Sequence, residues 1–361
     1  MLPLPLPTTG GQAVKSKVAF SKTNAQTAAG VADTVRRAMR LVDWSAGIAP
    51  ASLFLKVNLL SREVMPGQCT SPWVFAGVLA EVRERFPQAE IYYGDCEVSS
   101  SPQVEDAVRN WGILEVGERL GARFINLSRC PTREVEVGPV FGRLGIPEVL
   151  LDAEALITIP VVKTHCITPF TGALKNQWGM LPWARFKYHP VVHEAIVEVN
   201  ALFAERMLMG VADMTVAMEG PGPRAGYPKI CDVVLASKDL VALDVLAAQY
   251  MGFQREEVDF LLYAASAGLG GLEAEVLGDA FEQNVFVRGE GRDYLISRWR
   301  DRLDSLPVLR ELLVKDWFFK PVGWLASRYA RHVWYRRKGR PLAREVCATS
   351  GYGAEFSHLL G

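Results

Sequence analysis

With 361 residues, 49% of them hydrophobic, the chain has the apolar surface for a sizeable core and the length of one large α/β unit or two domains. Lys+Arg and Asp+Glu both number 40, so no global field argues for nucleic acid as a partner, and any electrostatic recognition must be local. The six cysteines (69, 96, 130, 166, 231, 347) are scattered without a Cys-x-x-Cys, which argues against an iron–sulfur cluster or a zinc ribbon and predicts reduced thiols in the cytoplasm.

The opening MLPLPLPTTGG has no early basic residue and its apolar positions are broken by prolines, so it lacks the continuous apolar core of a signal peptide; residues 1–14 read as a disordered tail. From Lys15 the chain alternates strand and helix. VAF (18–20) is a short strand, and Val31, Val35, Met39 and Leu41 mark a helix over 31–42. ASLFLKV (51–57) reads as a buried strand that ends near Lys56 and Asn58. Thr70-Ser71-Pro72 is a helix start, with a hydroxyl to cap free amides and proline at the first helical position, and that helix runs to about Arg85. IYYGD (91–95) is the next strand, with Asp95 at its end, and a helix over roughly 102–120 follows. The order β-α-β-α-β-α predicts a parallel sheet with crossover helices.

Residues 121–150, with ARFINL and REVEV set among glycines and prolines, break this rhythm and read as a local insertion or hairpin. The apolar run from Leu156 to Val162 resumes it as a buried strand. A helix starting at Pro190 carries Val192, Ile196, Val199 and Phe203 on one stripe, and RMLMGVADM (206–214) is a strand ending at Asp213. Glu219-Gly220-Pro221-Gly222-Pro223 is a rigid loop, KICDVVLAS (229–237) is the last core strand, and the helix after Lys238-Asp239 carries Asp244. Between Lys315 and Arg340, eight Lys/Arg stand against one acidic residue, interleaved with seven aromatic residues. Phe318, Val322, Leu325, Tyr329 and Val333 fall on one helical stripe, the pattern of an interfacial helix on an anionic membrane surface or of a face packed on the protein's own body or a second subunit. The segment is too polar to span a bilayer.

Chemistry concentrates in ALITIPVVKTHCITPFTGALKNQWGMLPW (155–183). Ligands in open α/β sheets bind outside the carboxyl ends of strands, which is where Lys163 and His165 leave the sheet. Ten residues after His165 comes Lys175, in a small-residue turn that lets backbone approach a ligand. An imidazole titrating near neutrality moves protons, and lysines hold a carboxylate or phosphate, so His165, Lys163 and Lys175 are the candidate catalytic residues. Asn58, Thr70, Thr171 and Asn176 complete a polar, substrate-binding wall. His189 and His193 stand at i,i+4 around a helix start, a spacing that can ligate a metal, with Asp95 as an oxygen donor; Asp95, Asp213 and Asp239 at strand ends equally suit helix caps. No G-x-G-x-x-G follows a first strand and no Walker lysine precedes Ser or Thr, so the commonest nucleotide sites are unsupported.

Lys56-Val57-Asn58, Thr70-Ser71-Pro72, Lys163-Thr164-His165, Thr171-Gly172-Ala173-Leu174-Lys175-Asn176, Glu219-Gly220-Pro221-Gly222-Pro223 and Ser237-Lys238-Asp239 with Asp244 resemble the domain of unknown function 362 family over about 50–250. Many of its members look like iron–sulfur proteins through an attached ferredoxin module, a cysteine run this chain lacks. More distantly, His165, the turn Thr171-Gly172-Ala173-Leu174-Lys175 and His189 or His193 resemble the lactate racemases that use a nickel-pincer nucleotide, in which a catalytic histidine precedes a turn whose lysine tethers the cofactor and a later histidine binds nickel. Where those enzymes have a Gly-Thr-His motif, this sequence has Gly94-Asp95-Cys96.

These readings predict an α/β protein with a doubly wound, mostly parallel sheet, an additional lobe and a helical C-terminal tail, divided into a tail (1–14), a core (15–290) and a helical extension (291–361). The expected function is an enzyme of isomerase or oxidoreductase type, moving a proton or hydride on a small anionic metabolite in a His/Lys pocket. A non-catalytic metal or cofactor carrier and a membrane-surface interaction protein are the competing classes. The expected cofactor is a divalent metal or a nickel-pincer-like nucleotide, with no iron–sulfur cluster. The expected location is cytoplasmic or peripheral to a membrane, with a homo-oligomer through the tail as the alternative.

Overall fold

The computed structural model describes residues 15–98, 103–181, 183–289 and 315–360. The predicted disordered tail, 1–14, and residues 291–314 of the predicted extension lie outside them. The first strands and helices form where apolar runs alternate with helical stripes: β1 (Ser16–Lys22), α1 (Ala28–Leu41), β2 (Ser52–Lys56), α2 (Pro72–Arg85), β3 (Glu90–Asp95), α3 (Val104–Asn110), α4 (Ile113–Arg119) and β4 (Arg123–Asn126). A hairpin follows, β5 (Thr132–Gly138) and β6 (Gly142–Pro147), then α5 (Glu148–Asp152), β7 (Ala155–Thr158), β8 (Val161–Thr164), β9 (Phe170–Thr171) and α6 (Ala173–Asn176). The core closes with α7 (Val192–Phe203), β10 (Met207–Glu219), β11 (Tyr227–Ser237), α8 (Leu240–Met251), α9 (Asp259–Ser266) and β12 (Ala274–Gly278).

Ten strands make one sheet in the order β12-β1-β11-β10-β7-β2-β3-β4, with β8 joined to β10 and β9 to β8. Along the path only the pairings of β11 are antiparallel. The sheet is buried on both faces, as parallel sheets require. Leu53 and Leu55 of β2 pack with Val35, Met39, Phe75 and Val78 of α1 and α2, whereas Phe54 between them joins Leu156 and Phe203 on the opposite face. From β2 the chain steps outward through β3 to β4, then returns to lay β7 on the other side of β2. The reversal falls between β2 and β7, and the carboxyl ends of such strands are where doubly wound sheets have their ligand-binding crevice.

Four sequence expectations change. Arg123–Asn126 is a fourth parallel strand against β3, so the hairpin is confined to 132–147. The helix over 102–120 is two helices, because Gly112 adopts a left-handed φ of 70° between them. The run 155–162 is not one strand. Pro160 has no amide to continue a ladder, and beyond it β8 stays beside β10 but leaves β2 and pairs with β9 on its other side. Lastly, β10 runs through Asp213 to Glu219, and β12 lies beyond the expected last strand, parallel to β1. The hairpin is held by Glu198 of α7, which accepts from the amides of Val140 (2.7 Å) and Phe141 (3.2 Å), forming the additional lobe.

The C-terminal segment is helical: α10 (Asp316–Tyr329), a π-helical stretch (Ala330–Gly339), α11 (Arg340–Thr349) and α12 (Gly353–Ser357). Its end is part of the core. Tyr352 is fully buried, stacks on Trp73 at 5.4 Å and donates to Asp232 at 2.8 Å, while Phe356 meets the same indole edge-on at 4.6 Å. Trp334 is buried against Met65, Met218 and Ala225. The expected stripe is packed only in part, with Tyr329 against the Trp334 cluster. Phe318, Val322, Tyr329 and Val333 are half-buried and Leu325 is 61% exposed. Bonding from i to i+5 after residue 329 takes more residues per turn than an α-helix, so a 3.6-residue stripe cannot be carried through it.

Asp213 shows how such junctions are held. Instead of a Ser71 hydroxyl capping α2, the Ser71 amide and hydroxyl donate to Asp213 at 2.8 and 2.6 Å, and Thr215 donates its amide and hydroxyl to the other carboxylate oxygen at 3.1 and 2.7 Å. Asp213→Ala leaves all four donors buried, and urea unfolding is expected to show a loss of about 2–5 kcal/mol. An unchanged midpoint would mean the carboxylate is dispensable.

Candidate functional site

The crevice is built around Lys56, the last residue of β2. Its side chain is fully buried, and its ammonium sits 2.8 Å from Asp95 at the end of the neighbouring β3 and donates to the Val57 carbonyl. Burial pushes the Lys56 pKa down, and Asp95 opposes that shift. Asp95 also accepts from the amides of Leu59 and Cys96, both at 2.8 Å, and so fixes the chain leaving both strands. The Lys56 carbonyl accepts the Ile159 amide of the β7 exit at 2.8 Å and the Asn176 side-chain amide at 3.1 Å. Asp95 is therefore engaged structurally, with two amides and a lysine where a metal would have to bind.

Two residues beyond Lys56, Asn58 turns into the crevice. Thr70 sets it: the Thr70 hydroxyl donates to the Ile159 carbonyl at 2.7 Å and accepts the Asn58 amide at 2.9 Å, clasping the ends of β2 and β7. Asn58 then accepts from Lys163 at 2.7 Å and donates to Asn176 at 3.2 Å, and Asn176 donates to Thr158 at 2.9 Å. Lys163 is 1% exposed. Its other acceptor is the Gln68 carbonyl at 2.6 Å, and no carboxylate lies within ion-pair distance of it among the described residues. Burial pushes its pKa down to about 8, against the attraction of Cys69, Asp95 and Asp213.

The chain beyond β8 makes a tight return into β9, with Lys163 opposite Thr171. In that turn the His165 Nδ1 accepts from the Ile167 amide at 2.9 Å, and the Thr168 amide lies 3.5 Å from it. The Thr168 hydroxyl accepts from Lys175 at 2.7 Å. Lys163, His165 and Lys175 thus come to one turn-and-helix unit but enter two networks, Lys163 with Asn58 and Asn176, His165 and Lys175 around Thr168. Gly172 is required here, since a Cβ would collide with Asp244. Asp244 accepts the first amides of α6, Ala173 at 2.6 Å and Leu174 at 2.9 Å, and its burial raises its pKa to about 7 against those bonds. Its signal in the sequence was a lone carboxylate in an apolar helix. Gln68 and Thr168 carried none.

The imidazoles of the suggested metal set sit apart from Asp95's network. His189 packs edge-on against Trp178 at 5.6 Å, and His193 stacks on Phe260 with its Nε2 4.0 Å from Asp259. Among the described residues no three His, Cys, Asp or Glu side chains converge as metal ligands. Burial lowers the His193 pKa, Asp259 and Glu194 raise it, and Lys175 lowers it further. Its Nδ1, the Thr171 hydroxyl and the Gln177 side-chain Oε1 are buried without a hydrogen-bond partner, all on elements flanking α6.

The fold is thus that of a doubly wound α/β protein with a buried polar cluster at its switch point. The chain belongs to the family described as Domain of unknown function (DUF362), whose model matches residues 53–249. It is 23% identical over 257 residues to a thylakoid-associated protein of Synechocystis, covering 69% of this chain and 75% of that protein. Among solved structures it is similar to the lactate racemase apoprotein of Thermoanaerobacterium thermosaccharolyticum, with a TM-score of 0.42 at 13% identity over 66% of this chain and 57% of that one. A Thermotoga maritima protein gives a TM-score of 0.35 at 14% identity over 56% and 55%. The chain spans a little over half the length of these two structures.

The two buried lysines respond differently to neutralisation. Lys56→Met strands Asp95 and is expected to lower stability by about 3–5 kcal/mol, whereas Lys163→Met removes a cation held only by neutral oxygens and should change it far less. The Lys163 pKa falls from 10.5 to about 8 on folding, so between those pH values the unfolded chain keeps a proton the folded one has released. The penalty for burying this charge is present below pH 8 and relieved as pH rises to 10.5. Wild type should therefore gain stability relative to Lys163→Met over that window in denaturant titrations, and parallel curves would contradict the assignment.

Proposed function

We propose that this protein is an enzyme acting on a small anionic metabolite by proton or hydride transfer, a reaction of isomerase or oxidoreductase type. Lys163 carries this reading. A buried ammonium whose contacts are neutral oxygens, at the switch point of a doubly wound sheet, is costly to the fold and suited to an anion's charge. His165 has a defined part. A backbone amide donates to its Nδ1, so the neutral ring carries its proton at Nε2 and acts as a donor, polarising a carbonyl or meeting a developing oxyanion. Lys163, titrating near pH 8, can exchange a proton close to neutral pH, Lys175 binds the anion, and Asn58, Asn176 and Thr171 orient it.

The nickel-pincer-like nucleotide suggested by the sequence resemblance needs an amine for tethering and an imidazole for the metal. Lys175 and the histidines beyond it offer both, and the unpartnered His193 Nδ1 and Thr171 hydroxyl are the kind of buried atoms such a group satisfies. With such a group Lys175 would tether it through the amine instead of binding the anion as a cation, with His193 or His189 at the metal, and the group would supply an acceptor for hydride. We further propose that the enzyme works in the cytoplasm, peripherally at a membrane. No helix among the described residues is long and apolar enough to cross one, and a relative is named for association with thylakoids.

Calorimetric titration of a panel of small carboxylates tests the pocket. Lys163→Met and Lys175→Met should each weaken the best binder by roughly tenfold or more, as expected for loss of a buried charge-assisted contact, with the fold retained. Wild-type binding should decline as pH rises through about 8, where Lys163 gives up its charge. Affinities unaffected by either substitution would overturn the reading.

A further inference from the structure

The tail helix α10 is satisfied on one side and unusually apolar on the other. Toward the body, Gly323 is buried, and the π-helical stretch that follows sends Trp334 onto Met65, Met218 and Ala225, pairs Arg331 with Glu63 at 2.8 Å and donates Tyr335 to the Val64 carbonyl at 2.9 Å. Away from it, Trp317, Trp324 and Leu325 are 68%, 53% and 61% exposed. With the exposed Lys320, Pro321 and Arg328 they follow i, i+3, i+4, i+7, i+8 and i+11, one continuous stripe. The Arg328 guanidinium lies 4.9 Å from the Trp324 ring, so cation and indole face outward together.

Charge decides the occupant. In a chain with zero net charge, residues 315–340 carry eight Lys/Arg and one acidic residue, and Lys315, Lys320, Arg328, Arg336, Arg337 and Lys338 are all exposed. A second copy related by a two-fold axis would set this basic stripe against itself, which opposes self-association. Anionic lipid headgroups complement it, and tryptophans with long basic side chains are the residues that settle at a membrane–water boundary. We infer that the outward face of α10 docks this protein on an anionic lipid surface, with Trp317, Trp324 and Leu325 in the interface and Lys320 and Arg328 among the headgroups. The inference rests on the peripheral location proposed above and names its surface. It also has a geometric consequence: the inner side of the same segment grips Glu63, Val64 and Met65, in the loop whose Gln68 carbonyl holds Lys163, so docking brings the crevice's edge close to the bilayer.

Co-sedimentation of the full chain tests this with vesicles of phosphatidylcholine alone and of phosphatidylcholine containing a quarter phosphatidylglycerol. Wild type should bind the anionic vesicles, release in high salt and leave neutral vesicles largely unbound. The triple substitution Trp317→Ser, Trp324→Ser, Leu325→Ser, all at exposed positions, should keep the melting temperature and lose roughly tenfold or more of the binding, because insertion scales with buried apolar area. Lys320→Gln with Arg328→Gln should weaken binding and flatten its salt dependence. Failure of wild type to bind either vesicle overturns the peripheral location and this face with it. Binding that survives the triple substitution overturns this face and leaves the location standing. A wild-type dimer in sedimentation velocity that the triple substitution converts to monomer would assign the face to self-association instead.

Discussion

The crevice depends on one buried ion pair, Lys56 with Asp95. Strand ends leave backbone groups that no ladder satisfies, and here three strand exits, those of β2, β3 and β7, are bound to the same two residues through the Leu59, Cys96 and Ile159 amides. Isolated buried ion pairs are weak sources of net stability because desolvation offsets their attraction. This one is embedded among amides that must be satisfied anyway. Its removal would loosen the exits of β2 and β3, and with the first of them Asn58.

Against that neutralised pair, Lys163 stands out by what it lacks. Two lysines lie in the same crevice, both displaced downward in pKa by burial, but only Lys56 has a carboxylate at contact distance. Asp244 is the complementary case, a buried carboxyl raised to about 7 whose oxygens are spent on the first turn of α6 and which therefore places Lys175 and Asn176 without needing to touch a ligand. Buried charge that is paired or capped builds the site. Buried charge that is not, as at Lys163, is what the proposed function rests on.

The tail joins this architecture twice. Tyr352 and Phe356 close the α2 side of the core around Trp73, and Trp334 with Arg331 covers the loop that leads to Gln68. Both anchors follow α10 in the chain, so its outer stripe is held from the C-terminal side, through Arg331 and Trp334.

The alternation of strands and helices, the two-sided burial of the sheet, the stripe of α7 and the turn-rich loop after Glu219 were legible in the sequence, since each rests on local periodicity or on the backbone limits of glycine and proline. Lys163, His165 and Lys175 could be singled out as candidates from their place at and beyond a buried strand. Their partners could not. Lys163 meets Asn58 and Gln68 across 105 and 95 residues, and Asp213 meets Ser71 across 142, contacts that exist only once strand order is set. The same holds for β4, whose half-polar run gave no sign of pairing with β3, for the break of the 155–162 run at Pro160, and for the side of α10 that faces outward. Local sequence determined most of the segments that became strands and helices. Tertiary structure alone decided which charges were neutralised, because pairing and desolvation depend on neighbours that the chain brings together from distant positions.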